Sequence, residues 1–93
     1  MAIEFKFDWD RFNIEHIASH SVVPEEVEQV FSNDEMGLDY DVVRGEDRWT
    51  AIGETDQQRL LIVVYTMRAD SIRTVTAYQA SERLRVEYLK VKG

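Results

Sequence analysis

Leu60-Leu61-Ile62-Val63-Val64-Tyr65-Thr66-Met67 is the stretch that decides the fold. It is rich in β-branched and aromatic residues and apolar on both faces, which predicts a central strand flanked by others. A membrane span needs roughly 20 apolar residues, far more than this run supplies. Arg68-Ala69-Asp70-Ser71 follows as a polar turn, and Ile72 through Ala77 as the last strand. Upstream, Thr55-Asp56-Gln57-Gln58 is another turn, and the residues around Trp49, Ala51 and Gly53 form the strand before it. Before the turn Arg44-Gly45-Glu46-Asp47, Leu38, Tyr40 and Val42 alternate with Asp39, Asp41 and Val43, a period of two. Four strands joined by short polar turns predict an antiparallel meander.

Helical signals flank the meander. Asp10 suits the N-cap of a helix running to about Ser19. Pro24 suits the first turn of a second helix, where Glu25, Glu26 and Glu28 favour the positive end of the dipole. Val27, Val30 and Phe31 make its apolar stripe. Ser81 caps a third, with Leu84, Tyr88 and Val91 on one side and Arg83, Arg85, Lys90 and Lys92 around the rest. Ahead of all these, Ile3, Phe5, Phe7 and Trp9 alternate with Glu4, Lys6 and Asp8, the pattern of a half-buried strand. The expectation is an α+β fold, one domain over residues 1–93, with helices near 11–18, 24–32 and 81–90.

Composition narrows the chemistry. No cysteine is present, which removes disulfides, thiolate zinc sites and cysteine nucleophiles. No basic region followed by an apolar run opens the chain, so the cytoplasm is the expected compartment, with no membrane contact. The net charge of −7 works against nucleic acid. Its distribution is uneven: residues 1–58 carry −11 and residues 59–93 carry +4. A polyanion could therefore use one face.

Two groups of side chains stand out. His16 and His20 lie four residues apart, the spacing of a helical metal pair, yet no third ligand accompanies them. No metal or other cofactor is expected. The histidines serve either as helix-terminal hydrogen-bonding groups or in acid–base or partner contacts. Arg68 and Arg73 flank the last turn and should lie on one rim of the sheet, with Arg83 or Arg85 in reach from the final helix. Clustered arginines suit phosphate, and equally suit ion pairs with the many carboxylates. Tyr78 follows the last strand and could donate a proton or stack on a base. No glycine-rich phosphate loop or nucleophile elbow is present.

Several stretches, taken in order, resemble the BrnT family of bacterial toxins. They are Phe7-Asp8-Trp9-Asp10, His20-Ser21-Val22, Pro24 through Phe31, Asp47 through Gly53, Leu61 through Arg68, Ile72 through Ala77, and Glu82-Arg83 to Tyr88. The resemblance covers nearly the whole chain. It implies a fold like that of the RelE-like ribonucleases, metal-free RNA cleavage, and a BrnA-like antitoxin partner, itself a repressor-like DNA-binding protein. Homo-oligomers are compatible with it. In the scheme it implies, His20 or a carboxylate such as Glu46 takes the ribose 2′-OH proton. Arg68 and Arg73, with Arg83 as a further phosphate ligand, stabilise the phosphate, and Tyr78 acts as the acid. The chain departs from the family pattern at Ser19-His20-Ser21, where the family has Lys-His-Gly, and at Thr76-Ala77-Tyr78, where it has Ser-Ala-Arg. These losses of basic residues define the alternative reading, a non-catalytic protein-interaction domain of the same fold.

Overall fold

The first helix begins where the sequence supplies a cap. Asp10 accepts hydrogen bonds from the backbone N–H groups of Phe12 and Asn13, and Asn13 Oδ1 accepts one from the Asp10 N–H in return. This reciprocal pair satisfies donors that a helix N-terminus leaves free. The computed structural model describes residues 5–92. In it, α1 spans Arg11–Ala18 and α2 spans Pro24–Ser32. Four strands come next, β1 Met36–Val43, β2 Glu46–Glu54, β3 Leu60–Arg68 and β4 Ser71–Gln79, and then α3, Glu82–Lys92.

The strands form one antiparallel sheet in the order β1-β2-β3-β4, the expected meander, with β3 internal. Arg44 and Gly45 form the β1–β2 turn, and both have positive φ, as a tight hairpin with matched twist requires. One irregularity lies in β4. Val64 pairs with Thr76 and Tyr65 with Thr74, which leaves Val75 as an extra, bulged residue.

Helices cover the sheet on both faces. On one face α1 and α2 bury Ile17, Val22, Val27, Val30 and Phe31 against Leu61, Val63, Ile72 and Ala77. Here the α2 backbone comes close to β2: a Cβ on Gly53 would meet Val30 Cγ1 at 2.8 Å. On the other face, α3 buries Tyr88 against Ile52, Leu60 and Ile62. That second core is small and lies toward one end of the sheet.

The N-terminal strand is a correction. Ile3 and Glu4 lie outside the described residues, and the segment from Phe5 to Trp9 makes only one parallel bridge, Phe7 to Ile72. The Asp8 N–H donates to the Ile72 carbonyl at 2.9 Å, and the Ile72 N–H to the Lys6 carbonyl at 2.8 Å. The period of two has another cause. Phe5 and Phe7 each place a ring 5.7 Å from that of Phe31, so one side of an extended segment packs partly buried against the core without a ladder.

Candidate functional site

α3 covers only one end of its face, and among the described residues no helix lies over the other end. Ile52 pairs with Ile62 beneath α3, and Arg48 and Thr66, four residues further along β2 and β3, share that face. Thr66 pairs with Arg73 on β4, so Arg73 joins the same row. The side of α1 closes this row into a concavity of about 430 Å³, lined among others by Asn13, His16, Glu46, Arg48, Thr66 and Arg73.

Arg73 is the most enclosed charge there, its side chain 15% exposed. Its Nη2 donates to Asp10 Oδ2 at 2.9 Å. Its Nη1 lies 3.7 Å from Asp8 Oδ2, an ion pair too long for a hydrogen bond, and that buried nitrogen has no acceptor among the described residues. Arg68 Nη1 lies 3.8 Å from the same Asp8 oxygen, with a side chain 61% exposed. Two guanidinium groups thus converge on one carboxylate oxygen. The Asp10 carboxyl is held below its usual pKa, first by the Asn13 backbone N–H and further by Arg73, against the opposing effect of burial.

The other polar groups are also fixed. Arg48 Nε donates to Glu46 Oε1 at 3.1 Å, which orients the Glu46 carboxylate on β2. Thr66 Oγ1 donates to the Asp47 carbonyl. His16 Nε2 lies 3.1 Å from Thr76 Oγ1, across from helix to strand. The bulge at Val75 sets up this contact. It lets Thr74 and Ala77 both be buried while Thr76, between them, meets His16.

The structure brings some of the expected site residues together and leaves others apart. Arg68 and Arg73 share a rim, as the spacing predicted, and Glu46 and Arg73 line one concavity. His20 is not among its lining residues. It sits just past α1, its ring 5.5 Å from His16 and 6.1 Å from Tyr78. Tyr78 is 41% exposed and belongs to this adjoining cluster. Arg83 points along α3 toward Glu87 at 3.9 Å, and Arg85 toward Glu82, so neither joins the arginine rim. Arg48 and Thr66 line the concavity without belonging to the expected site residues. Their signal is the cross-strand register with Arg73.

The family model described as "Ribonuclease toxin, BrnT, of type II toxin-antitoxin system" matches residues 9–83. The chain belongs to the BrnT family. The matched span begins at Trp9, just before the capped start of α1, takes in all four strands and ends at Arg83 in the first turn of α3. It therefore includes every residue that lines the concavity. As a BrnT ribonuclease toxin of a type II system, the chain has an antitoxin for a partner. No curated protein matches the sequence. Among the described residues, no helix is long and apolar enough to cross a membrane, and no cluster of His, Asp or Glu could hold a metal ion.

Proposed function

We propose that this BrnT chain cleaves single-stranded RNA without a metal ion, in the cytoplasm, and that an antitoxin of the BrnA kind holds it in check. The observation that carries this reading is the convergence of Arg68 and Arg73 on a single oxygen, Asp8 Oδ2, beside a concavity that holds Glu46 and His16. A carboxylate oxygen is a fair stand-in for a phosphate oxygen in size and charge. An RNA phosphate that displaced it would meet both guanidinium groups and could accept from the unpartnered Arg73 Nη1.

The chemistry follows from these positions. The Glu46 carboxylate, oriented by Arg48, takes the proton from a ribose 2′-OH. The 2′-oxygen attacks phosphorus, the bond to the 5′-oxygen breaks, and a 2′,3′-cyclic phosphate forms. Arg73 and Arg68 stabilise the charge that develops on the phosphoryl oxygens. His16, reached from α1, gives a proton to the leaving 5′-oxygen as the general acid. His20 adjoins His16, and Tyr78 adjoins His20 in turn; the two serve to hold the histidine and the adjoining nucleotide, rather than standing at the phosphate.

One observation favours the second reading, a non-catalytic interaction domain. Asp8 and Asp10 already pair both arginines, and with Glu46 they balance the positive charge of Arg48, Arg68 and Arg73. The test separates the two readings. Antitoxin-free protein is incubated with a mixed-sequence RNA in excess chelator, alongside Glu46→Gln and a substrate with 2′-deoxyribose throughout. The expected result is RNA fragments with cyclic phosphate ends, none from the deoxy substrate, and a loss of roughly 10²–10⁴-fold in Glu46→Gln. No cleavage by the wild type would leave the interaction domain standing.

A further inference from the structure

Among the described residues, nothing covers the edge of β1. Residues 37–42 are all exposed, and the strand carries neither proline nor lysine, the residues that commonly guard such an edge. After the irregularity between Gly37 and Asp39, residues 39–43 pair regularly with β2 and present their outer backbone groups to solvent. The two faces of this edge differ. Leu38, Tyr40 and Val42 are each about half exposed, and the Tyr40 ring continues a row of aromatics through Trp49 and Tyr65 to Phe31. Asp39 and Asp41 occupy the other face. The Val42 N–H is donated to the carboxylate of Asp41 next to it at 2.8 Å, where a neighbouring strand's carbonyl would otherwise accept it.

We propose that the antitoxin docks here by adding an extended strand to β1, with apolar side chains on the Tyr40 face and Lys or Arg on the Asp39–Asp41 face. The proposal rests on the toxin–antitoxin reading and names the surface that the partner uses. Strand addition gives affinity through main-chain hydrogen bonds and specificity through alternate side chains. The incoming carbonyl would take the Val42 N–H and release the Asp41 carboxylate to pair with a basic side chain. Charge selects the occupant. A second copy of this chain, paired antiparallel through β1, would set Asp39 and Asp41 against their own equivalents, and like charges directly opposite are destabilising. RNA is repelled by the same carboxylates. A basic, alternating strand meets no such penalty, and it suits an acidic half-chain of charge −11.

The experiment uses the full-length toxin co-expressed with the product of the neighbouring gene. Amide hydrogen exchange of the complex against the free toxin should show new protection at the outward-facing amides of Tyr40 and Val42, Val42 above all. The double variant Asp39→Lys, Asp41→Lys should weaken the complex about tenfold or more while its thermal melt stays near that of the wild type. Full affinity in that variant, together with unprotected β1 amides in the wild-type complex, would overturn the surface but not the toxin reading. If the variant fails to fold, the exchange pattern of the wild-type complex decides alone. If the wild-type toxin captures no product of the neighbouring gene, the partner reading itself falls, and this surface with it.

Discussion

Along β4 the edge of the sheet is covered twice. Residues before α1 bridge to Ile72 through two backbone hydrogen bonds, and α1 lies alongside with Ile17 fully buried. Along β1, by contrast, nothing within the described residues covers the edge, and Leu38, Tyr40 and Val42 remain half exposed. Charge divides in the same way. At the β4 edge the carboxylates of Asp8 and Asp10 are matched with Arg68 and Arg73. At the β1 edge Asp39 and Asp41 have no ion pair among the described residues. A sheet edge left bare and acidic suits a surface kept for a partner. One closed by the chain's own N-terminal segment suits a site whose geometry must hold still.

Stability should show this contrast most strongly. Ile17 anchors α1 over the sheet beside β4, and Ile17→Ala should destabilise the fold by about 2–5 kcal/mol, the range for emptying a packed site. Val42→Ala, on the bare edge, should cost less than about 1 kcal/mol, the span of strand propensity. Chemical denaturation of the two variants measures both. Similar losses would mean that the β1 edge is not the loosely held region that its exposure indicates.

The two arginines sharpen the comparison within the closed edge. Arg73 is largely buried and Arg68 largely exposed, so water screens Arg68 far more. Arg73→Ala should lower single-turnover RNA cleavage by roughly 10²–10³-fold, the scale of losing one charge-stabilising donor. Arg68→Ala should lower it by about tenfold or less. Arg73→Ala should also lower the melting temperature, because Asp8 and Asp10 lose their closest cation. Equal rates for the two variants would detach the phosphate from the buried guanidinium.

The sequence was most legible where burial follows a simple period. The run from Leu60 is apolar on both faces because β2 and β4 flank β3 and helices lie above and below it, and Pro24 with its three glutamates marks the start of α2 without ambiguity. Less legible was the N-terminal segment, since a period of two reports one half-buried side of an extended chain whether or not a ladder forms. The site was only half legible. Arg68 and Arg73 stand on strands joined by a two-residue turn, a local relation that spacing reveals. Arg48, Thr66 and His16 reach them only through the register of three strands and the bulge at Val75. A bulge switches the face of every residue after it, so no periodicity reading could have put Thr76 beside His16.

The smallest effects should come from pH, and they should appear at opposite ends of the scale for the two edges. Asp10 at the β4 edge has a depressed pKa, from the Asn13 N–H first and then Arg73. A group whose folded pKa lies below its unfolded value, about 3.9 for aspartate, contributes stability that is present above that value and lost as pH falls through the folded one. Asp70, bonded to Lys6 near the same edge, has the same sign, its pKa lowered by the Lys6 ammonium. Tyr40 at the β1 edge runs the other way. Its hydroxyl donates to Asp47 Oδ1 at 2.5 Å, and that bond, with the nearby carboxylates, raises its pKa. Its contribution is complete below the unfolded value, about 10, and is lost as pH rises through the folded one. Asp10→Asn keeps a side chain that caps a helix well but removes the charge. Its melting temperature should fall below that of the wild type at neutral pH, with the gap closing below about pH 4. Tyr40→Phe should show a gap at neutral pH that closes only above about pH 10. Melting curves of the three proteins from acid to alkaline pH make the comparison. A gap in Asp10→Asn that persists unchanged into acid would show that its loss is one of packing, and that the Arg73 pairing does not hold the closed edge.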